Sequence, residues 1–397
     1  MTDRRPADRP SADWPSADWP GLASLACYTV DIPARGGSYA MSHGRVLTSF
    51  PATVVKVTAQ DGTTGFGEAG TLGGNYLDGF PGSARETIRE LAPWVLECDP
   101  LEPGVLADGM DARVIGHLPG KAAIDIALWD LRGKLLGLPV ARLLGGVRQR
   151  SLAAFQAISL GSPQEMAKDV GQLSGLGFRH WQLKLGDDPL ADARRVHAVT
   201  EALPADSAFL TSDANRGWTV SDTLRFVRAV AGADTYLEQP CQTLAELARV
   251  RPHCPLPMMV DEGVKEPADL LAAVTLGCAD AINIKPSRVG GLTKAARIRD
   301  LALAAGVMIL VDEPQGAELA TAGMAQLAAT VNPGSFIAMG CFVGDHMPSC
   351  YRPPGREAAG ARFEGGRVTW PDAPGLGVEV DEDRLGPPVF ELSRPVP

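Results

Sequence analysis

Eight short runs rich in β-forming residues recur between residues 152 and 340, and helical stretches lie between most of them. Strands that alternate with helices favour a parallel sheet with helices packed around it. Eight such runs predict an α/β fold of the TIM-barrel type, with a doubly wound open sheet as the alternative. The runs cover 152–159, 180–185, 208–213, 235–239, 257–262, 281–285, 307–312 and 335–340.

The segment 22–147, which precedes this repeat, has the pattern of a smaller α+β domain. "TVVKVTAQDGTTGFGEA" has the strand, Asp-Gly turn and strand of a β-hairpin. Residues 84–144 then show apolar residues at helical spacing, and Gly137 and Pro139 end the second of two helices. One face of that helix consists of Ile124, Leu128, Leu131 and Leu135.

Both ends of the chain differ in composition from the repeat at 148–358. Residues 1–21 are polar and proline-rich and contain "SADWP" twice in tandem, which predicts a disordered extension. Residues 359–397 are turn-rich and strand-like, and we expect them to return to the N-terminal domain.

Composition limits the partners of the chain. The 397 residues carry a net charge of −10, which argues against nucleic acid or an anionic membrane as the main partner. No run of 18 apolar residues occurs, so we expect no membrane span. The seven cysteines are scattered, odd in number and lack a CxxC motif, which indicates reduced thiols and a cytoplasmic location.

Five successive predicted strands, from the second to the sixth, end in charged residues. In a barrel, the carboxyl ends of the strands form the mouth of the active site. Three carboxylates on neighbouring strands, without histidine or thiolate, predict a site for a hard cation, Mg²⁺ or alternatively Mn²⁺. The five residues, in chain order, are Lys184, Asp213, Glu238, Asp261 and Lys285.

The two lysines lie four strands apart, so we expect them on opposite sides of the barrel mouth. A metal ion and two opposed amines suit removal of the α-proton of a carboxylate substrate, since the dianionic enediolate needs concentrated positive charge. Burial and the cation are expected to lower the pKa of Lys184, which normally lies near about 10.4, so that it accepts a proton. The other lysine of the pair can return a proton to the opposite face, giving racemisation, or protonate a leaving group at the β carbon, giving dehydration.

Several motifs resemble the mandelate racemase/muconate lactonizing enzyme branch of the enolase superfamily. They are "AAIDIALWDLRGKLLGLPVARLLGG", "QLKLG", "SDANRGW", "LEQP", "VDEG" and "NIKPSRVGGLTKAARI". The resemblance implies a (β/α)₇β barrel under an α+β capping domain, and homo-oligomers. It makes the two lysines the acid/base pair, and the three carboxylates the Mg²⁺ ligands, with Asn215 and Glu262 beside them. Two positions depart from the family pattern: Gln182 replaces the first lysine of Lys-x-Lys, and Gly263 stands where serine often follows Asp-Glu.

Within this branch, the chain is most similar to enzymes that act on proline derivatives. "RGGSYAMSHGR" at 35–45 resembles the cis-3-hydroxy-L-proline dehydratases, and "LEQPCQTLAELARVRP" also resembles the hydroxyproline betaine epimerases. "VDEPQGAEL" lacks the tryptophan with which the epimerases hold a quaternary ammonium, so dehydration of a secondary amine is favoured. Candidate substrate contacts are Tyr39, His43, Tyr76, Asp312 and Glu313.

Three alternatives stay open. The first is a racemase or epimerase of proline, hydroxyproline or their betaines, and the second is a cycloisomerase or N-acylamino acid racemase. Both use the same five charged residues. The third is a non-catalytic barrel that only binds a small metabolite, which would be expected to have lost a lysine or a ligand.

Overall fold

The computed structural model describes residues 19–74, 76–344, 347, 349–352 and 360–394. The part before the barrel is built on a four-stranded sheet, in which an edge strand from the C-terminal segment, Phe390–Ser393, is followed by β1, β4 and β5. Its elements are β1 Leu22–Pro33, β2 Tyr39–Met41, β3 Arg45–Leu47, β4 Ser49–Ala59, β5 Thr64–Ala69, α1 Pro81–Val95, α2 Pro103–Arg113, α3 Leu118–Leu136, α4 Val140–Leu143 and β6 Ser151–Ala153.

The predicted Asp-Gly hairpin joins β4 and β5. The two strands pair antiparallel with Thr58 opposite Thr64. Asp61 Oδ1 accepts a hydrogen bond from the Thr63 amide at 2.8 Å, and Gly62 has a φ of 88°. Glycine takes this left-handed conformation at no steric cost, which confirms the turn predicted from the sequence.

Helix α3 is buried on all sides, whereas the sequence predicted one apolar face. That face does pack in the capping core, but Ile126 and Trp129 on the opposite side pack in the barrel core. The helix therefore lies between the capping sheet and the barrel. Gly65 and Gly67 of β5 allow this close approach, because a Cβ at either position would lie 2.3 Å from a carbonyl oxygen of α3.

The barrel consists of eight parallel strands in strict chain order, from β7 to β14. A parallel bridge between Ala154 and Met339 connects the two edges, so the structure confirms the TIM-type barrel over the open sheet. The strands are β7 Phe155–Ile158, β8 His180–Lys184, β9 Phe209–Asp213, β10 Tyr236–Glu238, β11 Met258–Val260, β12 Ala281–Ile284, β13 Met308–Val311 and β14 Phe336–Met339.

The barrel helices follow the strands around the outside. Apolar side chains of α5, α6 and α7, among others, are buried toward the strands in one continuous core. The helices are α5 Pro163–Ser174, α6 Pro189–Ala202, α7 Val220–Ala229, α8 Leu244–Val250, α9 Pro267–Thr275, α10 Pro286–Val289, α11 Leu292–Ala305 and α12 Glu318–Ala328. Among the described residues, no helix is both long enough and apolar enough to cross a membrane.

The C-terminal segment pairs with two different sheets. Strands β15 (Arg362–Glu364) and β16 (Arg367–Thr369) form a three-stranded sheet with β6. Strand β17 (Phe390–Ser393) pairs antiparallel with β1 and so adds an edge strand to the capping sheet. The domain boundaries predicted from the sequence remain predictions, and most of the predicted extension, 1–18, lies outside the described residues.

Candidate active site

The five charged residues predicted at the strand ends lie together at the mouth of the barrel. Lys184, Asp213 and Glu238 are the last residues of β8, β9 and β10. Asp261 and Lys285 directly follow β11 and β12. All five side chains are buried. Parallel strands bring their carboxyl ends to the same edge, which is why residues far apart in sequence meet here.

The three carboxylates of Asp213, Glu238 and Asp261 form one cluster. Each offers an oxygen within 4.8 Å of the others. The pKa of Glu238 is raised well above its usual range by burial and by the negative charges of Asp213 and Asp261. A divalent cation bound among them would offset this repulsion, and a buried set of carboxylate oxygens is a donor set that Mg²⁺ prefers. The residues present therefore fit a magnesium ion.

Two amides hold Glu238 in place. Gln182 Nε2 donates to one carboxylate oxygen at 2.9 Å, and Asn283 Nδ2 donates to the other at 2.8 Å. Gln182 thus supports Glu238 with a neutral donor at the position where the family often has a lysine. Asn283 was not among the residues predicted from the sequence, although it stands two residues before Lys285, where the alternation of β12 points it to the same side.

Each lysine forms an ion pair with a carboxylate of this cluster. Lys184 Nζ lies 2.6 Å from Asp213 Oδ2, and Lys285 Nζ lies 2.8 Å from Asp261 Oδ2. Burial lowers the pKa of both amines, but the adjacent carboxylates outweigh it and raise both pKa values well above the usual range. The ion pair with Asp213, which the sequence alone did not reveal, opposes the lowered pKa expected for Lys184 from burial and a bound cation, and that lowering stays a prediction for the metal-bound site. The carboxylates that hold the amines are also those that fit the metal ion.

A buried arginine, which the sequence analysis did not assign, also pairs with the cluster. Arg288 contacts Asp261 Oδ1 and the Asn283 carbonyl, and its Nε donates to the Val264 carbonyl at 3.0 Å. Burial lowers and Asp261 raises the pKa of Arg288, with a net rise. Asp261 is therefore held by a permanent cation, whereas the partner of Asp213 is Lys184, an amine that can lose its proton.

Asn215 and Glu262 lie where the resemblance placed them. The Asn215 amide N–H donates to Asp213 Oδ1 at 2.8 Å, and Asn215 Nδ2 donates to Glu262 Oε1 at 3.0 Å. Burial and the charges of Asp261 and Asp213 raise the pKa of Glu262 to about 7. Asn215 thus bridges the carboxylates of Asp213 and Glu262 through its backbone N–H and its side-chain amide, and the functional role of Asn215 and Glu262 remains a prediction.

A cavity that is open to solvent lies over the two lysines. Of the predicted substrate contacts, Tyr39, Tyr76, Asp312 and Glu313 line it. His43 does not, because it is exposed in the turn between β2 and β3. Tyr39 packs edge-on against Phe50, and both rings belong to the capping part of the chain.

The two acidic residues after β13 differ in orientation. Asp312 lies 3.7 Å from Lys285 Nζ, so its carboxylate faces the barrel mouth. Both oxygens of Glu313 instead accept from the Ser287 amide, at 3.0 and 3.1 Å. Burial is the main cause of the raised pKa of both carboxyls. Asp312 is thus the better placed of the two to meet a bound molecule.

Two family models match the chain. Residues 29–145 match the mandelate racemase/muconate lactonizing enzyme N-terminal domain, and residues 165–384 match the enolase C-terminal domain-like family. The chain belongs to the mandelate racemase/muconate lactonizing enzyme branch of the enolase superfamily. This confirms the resemblance predicted from its motifs.

Within this branch, several relatives cover nearly the whole chain. A cis-3-hydroxy-L-proline dehydratase of Roseibium aggregatum is 38% identical, over 94% of this chain and all of its own length. An N-succinyl-L-Arg/Lys racemase of Bacillus cereus is 26% identical over 92% of this chain and 96% of its own. An enolase-superfamily structure from Roseovarius nubinhibens, complexed with magnesium, has a TM-score of 0.85 and 32% identity, covering 94% and 99%.

Proposed function

We propose that the protein uses Mg²⁺ to dehydrate cis-3-hydroxy-L-proline or a closely related 3-hydroxylated proline derivative. The observation that carries the proposal is the placement of Lys184 and Lys285 on opposite walls of one cavity. Strands β8 and β12, which carry them, are four positions apart in the eight-stranded barrel. The similarity to the dehydratase of Roseibium aggregatum supports this substrate class.

The stereochemistry of the substrate requires two opposed groups. In the cis isomer the C3 hydroxyl lies on the same ring face as the carboxylate, and therefore on the face opposite the α-hydrogen. Loss of both is an anti elimination, for which the base and the acid must stand on opposite faces of the ring. Two lysines on opposite walls meet this requirement.

The two lysines supply all the proton transfers that the elimination requires. One lysine, in its neutral form, takes the α-proton, and the electrons of the C–H bond form the double bond between Cα and C3. The C3–O bond breaks, and the second lysine, in its ammonium form, gives the departing hydroxide a proton, so that water leaves. Mg²⁺, held by Asp213, Glu238 and Asp261, supplies the positive charge that stabilises the charge developing on the substrate carboxylate.

Asp312 supports an amine substrate. Its buried carboxylate faces the cavity and is 3.7 Å from Lys285. A proline ring nitrogen is a secondary ammonium near neutral pH, and a buried carboxylate is a matched partner for it. We assign Asp312 to bind this ammonium and leave Glu313 with its backbone partner.

Racemisation or epimerisation is the second candidate. The same two lysines can take a proton from one face and return one to the other, and the similarity to a racemase of Bacillus cereus favours this chemistry. The two candidates differ in the fate of the bond at C3, which stays intact in an epimerase.

Proton NMR in D₂O with Mg²⁺ separates the candidates. The protein is incubated with cis-3-hydroxy-L-proline, L-proline, 4-hydroxyproline and their betaines in turn. Loss of the 3-hydroxy compound with appearance of its enamine or imine supports the dehydratase. Deuterium at Cα with appearance of a diastereomer and no loss of water would overturn it in favour of an epimerase.

Two further predictions belong with this proposal. The described cysteines form no disulfide, in keeping with the cytoplasmic location that we propose.

We also propose that the protein assembles as a homo-oligomer, which sedimentation of the purified protein tests directly.

A further inference from the structure

The capping part of the chain places a phenol hydroxyl directly beside Lys285. Tyr76 lies in the segment between β5 and α1, and only 2% of its surface is exposed. Lys285 Nζ donates to the Tyr76 hydroxyl at 2.7 Å, and this hydroxyl donates to Asp261 Oδ2 at 3.3 Å. The polar end of the ring therefore meets the barrel mouth, although the residue does not belong to the barrel.

Barrel residues fix the position of this segment. Arg216 Nη2 donates to the Tyr76 carbonyl at 2.8 Å, and Lys265 forms an ion pair with Asp78 two residues further on. The Gly70 amide also donates to Ser287 Oγ at 3.3 Å. The contact between the cap and the barrel thus fixes the backbone segment that carries the Tyr76 hydroxyl.

The hydroxyl proton of Tyr76 is weakly held. A hydroxyl donor usually lies about 2.7–2.8 Å from its acceptor, so the 3.3 Å to Asp261 is long. Asp261 already accepts from Lys285 at 2.8 Å on the same oxygen and contacts Arg288 through the other. The O–H of Tyr76 can therefore turn to a substrate oxygen at little cost to Asp261.

We propose that Tyr76 binds the C3 hydroxyl of the substrate and selects a 3-hydroxylated ring. This inference rests on the proposed dehydration. With the hydroxyl held by Tyr76, the C3–O bond points to the wall of Lys285, and the α-hydrogen then faces Lys184. Lys285 gives the departing hydroxide its proton, while Lys184 takes the α-proton.

The test compares elimination with exchange in one substrate. Full-length wild-type protein and Tyr76→Phe are incubated with Mg²⁺ and cis-3-hydroxy-L-proline in D₂O. NMR then follows loss of water and deuterium at Cα of the remaining substrate. Loss of one positioned hydrogen-bond donor should slow elimination about 100-fold. Exchange by Lys184 should persist, so the ratio of exchange to elimination should rise.

Tyr236→Phe is the matched control, since Tyr236 begins β10 at the opposite end of the barrel and packs on Phe209. Its ratio should equal that of the wild type. An unchanged rate in Tyr76→Phe, or equal losses of exchange and elimination, would overturn the inference while the dehydration stands. A wild type that does not eliminate water, with or without exchange at Cα, would overturn the proposed function and this inference with it.

A second measurement does not depend on the folding of the variant. Wild-type protein with Mg²⁺ should bind cis-3-hydroxy-L-proline at least about tenfold more tightly than L-proline, because a site built to bond a hydroxyl leaves its donor unpaired when the hydroxyl is missing. Equal dissociation constants in calorimetry, with substrate turnover subtracted, would contradict a hydroxyl-binding role for Tyr76.

Discussion

The two walls of the cavity carry the same amine in different surroundings. Lys184 has Asp213 as its ion-pair partner at 2.6 Å. Lys285 has Asp261 at 2.8 Å, the Tyr76 hydroxyl at 2.7 Å and Asp312 at 3.7 Å. A racemase needs each lysine to act as both base and acid, whereas an elimination gives each lysine one task. The asymmetry of the walls matches the second case.

Replacing each lysine in turn is the most direct test of this division of tasks between the two walls. Lys184→Ala should lose both α-proton exchange and elimination by about 10⁴-fold, the upper range for a general base. Lys285→Ala should lose elimination to a similar extent but keep part of the exchange. NMR in D₂O with the proline substrate measures both. Equal loss of exchange in the two variants would contradict the division of tasks, and Lys168→Ala, on the exposed face of α5, is the control.

The metal ligands of the two walls should differ in their effect on stability. Asp213→Asn and Asp261→Asn should each weaken Mg²⁺ binding by about 100-fold or more, since losing even an outer partner of a ligand costs 10–100-fold. Asp261→Asn should also lower the free energy of unfolding by about 3–5 kcal/mol, because it leaves the buried Arg288 without its carboxylate. Lys184 can instead lose its proton when Asp213 is replaced.

Calorimetry with Mg²⁺ and urea unfolding of the metal-free proteins check this pair of variants. An equal loss in the free energy of unfolding for Asp213→Asn and Asp261→Asn would contradict the predicted difference between the two walls. Unchanged Mg²⁺ affinity in either variant would remove that residue from the ligand set.

A smaller effect on Mg²⁺ affinity is expected from the two side-chain amides, one from each wall, that donate hydrogen bonds to Glu238. Gln182 comes from β8, the strand of Lys184, and Asn283 from β12, which precedes Lys285. Gln182→Leu should weaken Mg²⁺ binding about tenfold, because Glu238 loses one of the two donors that orient it. Gln172→Leu, on the exposed side of α5, should bind Mg²⁺ like the wild type. Identical Mg²⁺ affinity in calorimetry for Gln182→Leu would show that Asn283 alone suffices.

The sequence predicts the barrel half of this site well. Residues at the carboxyl ends of parallel strands must converge, so the order of Lys184, Asp213 and Glu238 along the chain already implies their proximity. What it does not predict is the charge state of the lysines. Burial lowers the pKa of an amine and an adjacent carboxylate raises it, and the sign depends on distances that only the folded structure provides.

The capping half is less predictable. Tyr76 and His43 were equal candidates, but one lines the cavity and the other is exposed in a turn. Neither residue lies in a helix or strand, so no periodic pattern in the sequence predicts the direction of its side chain. Their positions depend on contacts between distant segments, such as the hydrogen bond from Arg216 to the Tyr76 carbonyl.

The last prediction concerns a contact that supports the wall of Lys285, and its effect is on stability rather than on activity. Glu68 of β5 accepts from the amides of Ala317 and Ala320 at the start of α12, at 2.9 and 3.0 Å. This joint ties the capping sheet to the segment that follows Asp312. The pKa of Glu68 is raised from about 4.5 to about 8: burial is the main cause, the two backbone hydrogen bonds oppose it, and the charge of the nearby Glu318 adds to it.

The raised pKa makes stability depend on pH. The folded protein keeps a proton on Glu68 between about pH 4.5 and pH 8, whereas the unfolded chain releases it. The contribution to folding is therefore complete below about pH 4.5 and is lost as the pH rises through about 8. Urea unfolding of wild type and Glu68→Gln at pH 6 and pH 8.5 should show a smaller decline in the variant, with Glu90→Gln, exposed on α1, as the control. An equal decline in all three proteins would show that Glu68 is ionised in the folded state, so that the amides of α12 hold a carboxylate and not a carboxylic acid.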